Sequence, residues 1–203
     1  MKHPTFYLDG KSLEKYLNTF GANPETKDYE HVVAFHAVQY FEEVYDKEFY
    51  VAYETNNKPK DPIPESGLTM ELLRKILTEN LAEDTDVDFC LAPKESIKNR
   101  GYAYPFQLKR FYLDDGIDPV EALSAFINIK ANEYTSENTS LLVIPLQRKT
   151  VYTKGISIKK LKERLVIRDN ALWSIYLYQV FNTKPKLVPL WASTRALKES
   201  AIN

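Results

Sequence analysis

Residues 104–111 read YPFQLKRF and alternate like a β-strand with two different faces. Side chains two positions apart in a strand project from the same surface. Phe106 and Leu108 therefore predict an apolar face. The opposite face would carry the amide of Gln107 beside the ammonium group of Lys109. Such a pair belongs either to a wet outer face or to a site where both groups converge on an anion or a metal ion.

The composition predicts one globular domain over residues 1–203. A chain of 203 residues that is 44% hydrophobic is large enough for one well-buried core. Cys90 is the only cysteine, which excludes a disulfide framework and favours a reducing, cytoplasmic setting. The N-terminal stretch MKHPTFYLDG lacks the apolar core of a signal peptide, and no apolar run approaches the length of a membrane span. We therefore expect no membrane partner.

Periodicity and capping signals predict alternating helices and strands. Asp28 is a candidate cap for a helix over 29–46, and Asp118, Pro119 and Glu121 are a strong start signal for another helix. The apolar run 140–146 is typical of a strand covered on both faces. The remaining predictions are a strand over 48–54, a proline-rich loop over 55–68, a helix over 69–82, strands over 86–92 and 103–112, a basic helix within 156–166 and a last strand at 186–191. The stretch ALWSIYLYQVF (171–181) fits a helix or a strand equally well.

Two successive predicted strands carry groups that suit metal chemistry. Asp88 lies near the start of one strand, and Gln107 and Lys109 lie on the next. If residues 93–102 join the strands as a hairpin, the three side chains can share a face. Carboxylate and amide oxygens are hard ligands of the kind that Mg²⁺ takes, and a lysine beside the ion can hold or deprotonate a water molecule. This set suits phosphodiester hydrolysis.

With Asp88, a gap and then QLKRF (107–111), the chain resembles the PD-(D/E)xK nuclease superfamily, and the glutamine variant is similar to Mrr-like restriction endonucleases. The resemblance covers about residues 28–147 and leaves 148–203 as a basic C-terminal extension. It implies an α/β restriction-endonuclease-like core, with a mixed central β-sheet flanked by helices. It also implies a DNA endonuclease that acts as a homodimer. Asp88 and Gln107 would ligate Mg²⁺, for which Mn²⁺ can substitute, and Lys109 would orient the attacking water.

The family usually adds a glutamate from the first helix, and here several residues lie near that position. His36 is the nearest, and Glu30, Gln39 and Glu43 are alternatives. Gln107 also brings one negative charge fewer than an acidic residue, so the metal would be held less tightly unless another carboxylate contributes. Asp86 lies two residues before Asp88 on the same predicted face and is a second candidate ligand. These departures leave open a nuclease fold that binds nucleic acid, or assembles with protein, without cutting.

Charge is divided unevenly along the chain. Residues 1–140 carry a net charge of −10, and residues 141–203 carry +9. The basic part favours a surface for phosphate backbones, or else a solvated face that offsets the acidic part. A protein–protein module whose acidic and basic parts meet a partner is a third reading. The candidate nucleic-acid-binding residues are Lys159, Lys160, Lys162, Arg164 and Arg168, and Trp173, Tyr176, Tyr178 and Phe181 are candidates for base stacking or a subunit contact.

Overall fold

A computed structural model describes residues 5–9, 27–54, 87–95, 104–134, 139–147, 150–151, 155–169, 171–181 and 184–200. In these ranges the protein has an α/β architecture, as predicted. The chain divides into two compact units, Met1–Phe106 and Gln107–Asn203, and each unit is described by itself. The single domain with a core over 28–147 stays a prediction.

The first unit is an antiparallel sheet with one long helix. Its elements are β1 (Thr5–Asp9), α1 (Lys27–Tyr45), β2 (Phe49–Glu54), β3 (Phe89–Pro93) and the first three residues of β4 (Tyr104–Tyr112). The strands neighbour one another in chain order, and Leu91 of β3 lies opposite Val51 of β2 and Tyr104 of β4. The long helix begins at Lys27, so Asp28 lies inside it, and the predicted cap is wrong. Local rules place a helix end only to within a residue or two.

Helix α1 covers this sheet with the apolar arc that its sequence predicts. Val33, Ala34, Ala37, Val38 and Phe41 are buried, at the spacing of one face of a helix. The ring of Phe41 lies 5.7 Å from that of Phe49 and 5.6 Å from that of Phe106, both edge-on. The helix ends where Asp46 takes a left-handed conformation with φ of 52°, which a short polar residue tolerates.

The second unit contains a mixed sheet with helices. It holds the remainder of β4, α2 (Pro119–Asn132), β5 (Ser140–Gln147), β6 (Thr150–Val151), α3 (Ile158–Glu163), β7 (Ser174–Phe181), β8 (Lys184–Ala192) and α4 (Thr194–Ser200). Strand β7 runs parallel to β5 and antiparallel to β8, while β6 pairs with the end of β5. At the end of β4, the backbone N–H of Leu113 donates to the carbonyl oxygen of Leu146, 2.8 Å away.

Helix α2 forms where its start signal predicts and packs on the apolar strands. The side chain of Asp118 accepts from the backbone N–H of Val120 at 2.8 Å and of Glu121 at 3.4 Å. All of β5 except its last residue is buried, as the apolar run predicts. The core joins the apolar face of α2 to β5 and β7 through Val120, Leu123, Ile127, Ala131, Leu141, Val143, Ile175 and Leu177. Burying each large side chain contributes about 1.5–3 kcal/mol, so this face fixes the helix.

Several expectations are corrected here. Within residues 171–181, which fit either element, Ser174–Phe181 form β7, and Tyr176 and Tyr178 are buried in it. Their proposed contact with bases is therefore wrong, because a ring inside the core presents no face to a ligand. The strand predicted from 86 begins at Phe89, and the basic helix is confirmed only over Ile158–Glu163. Strand β1 and helix α4 carried no prediction, and the predicted elements at 55–68 and 69–82 lie outside the described residues.

Candidate functional site

Asp88 lies immediately before β3 in the first unit. Its backbone N–H donates to the carbonyl oxygen of Phe106, 3.0 Å away. Phe89 and Phe106 are paired in the antiparallel register, so Asp88 and Phe89 both lie against Phe106, and the regular ladder is interrupted here as at a β-bulge. Asp88 is half-buried. Its backbone is thus fixed against β4, whereas Asp86 lies outside the described residues.

Gln107 and Lys109 belong to the second unit, because the division of the chain follows Phe106. Gln107 is only 4% exposed, and its side-chain oxygen Oε1 accepts a hydrogen bond from the hydroxyl group of Tyr134. A wet outer face at Gln107 is therefore excluded. Lys109 and the following Arg110 are half-buried, so the exposure of this strand increases toward its end.

The first-helix candidates lie along α1 in different environments. His36 is half-buried, and burial lowers the pKa of its imidazole to about 4, so the ring is neutral near neutral pH. Glu30 is also half-buried, whereas Gln39 and Glu43 are exposed. Their part in a metal site stays a prediction. A neighbouring carboxylate, Glu42, has a local structural role, because its Oε1 accepts from the backbone N–H of Phe49 at 3.1 Å.

The donor atoms of the predicted ligands can be compared with what Mg²⁺ requires. Asp88 offers carboxylate oxygens and Gln107 offers an amide oxygen, both of the hard type that Mg²⁺ and Mn²⁺ take. An amide oxygen has two acceptor positions, so the bond from Tyr134 is compatible with a bond to a cation. Among the described residues, no three His, Cys, Asp or Glu side chains form a metal-binding group. By donor chemistry, Asp88 and Gln107 fit the ion.

The candidate basic side chains of the C-terminal extension lie on the short helix α3 and on the residues that follow it. Leu161 anchors α3 in the core, and the Ser157 hydroxyl accepts from the backbone N–H of Lys160 at 3.4 Å. The candidate residues Lys159, Lys160, Lys162, Arg164 and Arg168 are all exposed. Their exposure agrees with a phosphate-binding surface and equally with a solvated face, so their role in binding stays a prediction.

An asparagine ladder, Asn128 and Asn132 of α2, holds the segment that follows α3. The side chain of Asn128 donates to the carbonyl oxygen of Arg164 at 3.0 Å and accepts from the N–H of Val166 at 2.8 Å. The side chain of Asn132 donates to the carbonyl oxygen of Val166 at 2.9 Å and accepts from the N–H of Arg168 at 3.1 Å. The two amides therefore bind alternate residues of an extended backbone, as the edge of a β-strand does.

Arg168 is engaged by the end of α2. Its guanidinium group donates to the carbonyl oxygen of Asn132 and, at 3.4 Å, to that of Tyr134. A cation at a helix C-terminus satisfies carbonyl groups that have no partner within the helix and interacts favourably with the helix dipole. Arg168 thus has a structural role that its place in a basic run did not predict, and this role limits its freedom to contact a phosphate group.

Sequence reasoning missed the asparagine ladder and Tyr134. The ladder did leave a signal, because Asn128 and Asn132 are four residues apart and such residues lie on the same face of a helix. Tyr134 left none, since it lies beyond the helix in a stretch without periodicity. Cys90 is a core residue: its thiol is buried, and burial raises its pKa far above the usual range.

Comparison with known proteins gives no match: neither a protein-family model nor a curated protein sequence matches this chain. The resemblance to PD-(D/E)xK nucleases therefore rests on Asp88, QLKRF and the predicted order of helices and strands around them, and it stays a prediction. In the part of the chain that the structure describes, no helix is long and apolar enough to cross a membrane.

Proposed function

We propose that this chain is a Mg²⁺-dependent DNA endonuclease built on a restriction-endonuclease-like core. The observation that carries this assignment is the backbone hydrogen bond from the N–H of Asp88 to the carbonyl oxygen of Phe106. It holds the backbone of Asp88 against the strand on which Gln107 is the next residue in the sequence. The resemblance expects an acidic residue beside the QxK strand, and this backbone hydrogen bond supports that expectation.

Each residue has a distinct role in this proposal. The carboxylate of Asp88 and the amide oxygen of Gln107 hold Mg²⁺ or Mn²⁺, with Asp86 as a further ligand and His36 or Glu43 contributing from the first helix. The bound ion supplies charge stabilisation for the phosphoryl group. Lys109 orients the attacking water through its ammonium group, and the exposed basic side chains of α3 bind the phosphate backbone. A homodimer would provide two such sites for the two DNA strands.

The second candidate is a nuclease fold that binds nucleic acid without cutting it. The burial of Gln107 and its hydrogen bond with Tyr134 favour this alternative, because a glutamine so held can have a purely structural role. Binding would then depend steeply on salt concentration, since each neutralised phosphate releases counterions. No product would form with either Mg²⁺ or Mn²⁺.

Cleavage assays with matched variants distinguish these candidates. Supercoiled, linear and single-stranded DNA are incubated with Mg²⁺, with Mn²⁺ or with EDTA. Asp88→Asn and Lys109→Ala should each lower the cleavage rate at least about 100-fold, the scale of losing a positioned catalytic group. The controls are Asp114→Asn, which changes an exposed acid, and Lys130→Ala, which changes a half-buried lysine paired with Glu133. Both controls should cleave like the unmodified protein.

Three outcomes separate the readings. Unchanged cleavage by Asp88→Asn or Lys109→Ala would refute the assignment of the active site. DNA binding that weakens with salt, with no product under any condition, would support the second candidate. A lack of nucleic-acid binding at moderate salt would instead favour a protein–protein module, in which the acidic and basic parts of the chain recognise a protein partner.

A further inference from the structure

The hydroxyl group of Tyr134 is a hydrogen-bond partner of the buried side chain of Gln107. Gln107 is almost fully buried, and the Tyr134 hydroxyl donates to its oxygen Oε1. A side-chain amide rotates about its last torsion with little preference, so a hydrogen bond to one of its ends selects the orientation. In the structure the hydroxyl group donates to the oxygen and not to the NH₂ end of the amide. The oxygen end of the Gln107 amide therefore points toward Tyr134 while this bond is made.

Tyr134 is itself held at the end of α2. Its carbonyl oxygen and that of Asn132 both accept from the guanidinium group of Arg168. The backbone N–H of Tyr134 donates to the carbonyl oxygen of Ala131 at 3.3 Å. Arg168 is in turn fixed by its own backbone N–H, which donates to Asn132 Oδ1. The backbone that carries the Tyr134 side chain is thus restrained by the end of α2 and by Arg168.

We propose that Tyr134 is a positioning residue for divalent-cation binding by Gln107, and that Arg168 keeps Tyr134 in place. This inference rests on the proposed function, in which the Gln107 oxygen is a metal ligand. Hydrogen bonds to a metal-binding side chain orient its donor atom, and losing one commonly weakens metal binding about 10- to 100-fold. An uncharged ligand binds the ion only through a correctly directed oxygen, so its orientation matters more than that of a carboxylate with two equivalent oxygens.

Mn²⁺ binding to the full chain tests this inference without a cleavage assay. The free ion is measured by its electron paramagnetic resonance signal while protein is added. Tyr134→Phe should bind Mn²⁺ about 10-fold more weakly than the unmodified protein, in line with the loss of one orienting hydrogen bond. Tyr112→Phe is the matched control, because Tyr112 is on the same strand as Gln107 and is 54% exposed. Its Mn²⁺ affinity should not change.

Arg168→Ala provides a second variant, because it loosens Tyr134 and leaves the hydroxyl group in place. Its Mn²⁺ affinity should fall in the same direction, and thermal unfolding confirms that each variant is folded. If the unmodified protein binds Mn²⁺ and both variants bind it equally well, the role of Tyr134 is refuted and the metal site stands. If the unmodified protein binds no Mn²⁺, the proposed function fails, and this inference fails with it.

Discussion

The hydroxyl group of Tyr134 donates a hydrogen bond to the amide oxygen of Gln107, a residue 27 positions earlier in the sequence. This bond satisfies a polar atom inside the second unit, where an amide oxygen without a partner would cost about 1–3 kcal/mol. It also connects the strand that carries the QxK sequence to the end of α2. By our proposal, the same contact stabilises the fold and orients the candidate ligand. Measuring the stability of variants with and without a metal ion separates the two effects.

Gln107→Glu should make thermal stability dependent on metal. A carboxylate at this buried position loses its hydration, so the variant should unfold at a lower temperature than the unmodified protein without metal. Bound Mn²⁺ would compensate the charge and raise the unfolding temperature. Ala125→Glu, at an exposed position of α2, is the control and should respond to Mn²⁺ like the unmodified protein. An equal response of both variants would argue against a cation site at Gln107.

Substitutions at three buried hydroxyl groups near the start of β5 and β7 should change the stability of the protein in opposite directions. Ser140 and Ser174 hydrogen-bond each other at 2.8 Å, whereas the Thr139 hydroxyl has no partner among the described residues. Thr139→Val should therefore stabilise the protein by about 1 kcal/mol, and Ser174→Ala should destabilise it by a similar amount. Urea unfolding measures both changes. Destabilisation by Thr139→Val would mean that this hydroxyl has a partner in solution.

His36 should make the protein less stable in mild acid. Its pKa in the folded state is about 4, below the value of about 6.5 for an unperturbed histidine. Between these values the unfolded chain binds a proton that the folded chain does not bind. Stability is therefore complete above about pH 6.5 and falls as the pH is lowered toward 4. The imidazole titration followed by NMR should have its midpoint near 4, and His36→Gln should remove this part of the pH dependence. A midpoint near 6.5 would contradict the burial of the ring.

The asparagine ladder should control the local opening of residues 164–168. Asn128→Ala removes the acceptor of the Val166 N–H and the donor to the Arg164 carbonyl oxygen, which should cost about 1 kcal/mol. Hydrogen exchange of the Val166 amide should accelerate accordingly. Ile129→Ala is the control, because the Ile129 side chain is 63% exposed and its loss should leave this amide protected. Equal exchange in both variants would show that the ladder is not needed.

Local sequence signals predicted those parts of the fold that neighbouring residues determine. The cap at Asp118 formed as expected, because a cap depends on residues within the first turn of the helix. The apolar run of β5 also formed a strand as expected, because an unbroken apolar run suits a strand that is buried on both faces. Residues 171–181 were ambiguous, since a segment buried on both faces loses the periodicity that separates strand from helix. Pairing between β5 and β7 decides that question, and this pairing joins residues more than 30 positions apart.

The candidate site was predictable only in its residue types. The alternation of residues 104–111 correctly predicts a strand, and the register of β3 with β4 agrees with the expected antiparallel neighbours. The burial of Gln107 was not predictable from the strand sequence, because its partner Tyr134 lies 27 positions later, beyond α2. Arg168 shows the same limit: its charge favours a phosphate contact, and its position at the end of α2 gives it a structural task.

Anomalous diffraction from a crystal soaked in Mn²⁺ tests the central claim most directly, because it locates the ion and its ligands in one measurement. A peak is predicted about 2 Å from a carboxylate oxygen of Asp88 and from Oε1 of Gln107, the usual length of such coordination bonds. The ammonium group of Lys109 should lie within reach of a water molecule on the ion. A crystal with no peak at these oxygens, or with a peak only at other residues, would contradict the assignment.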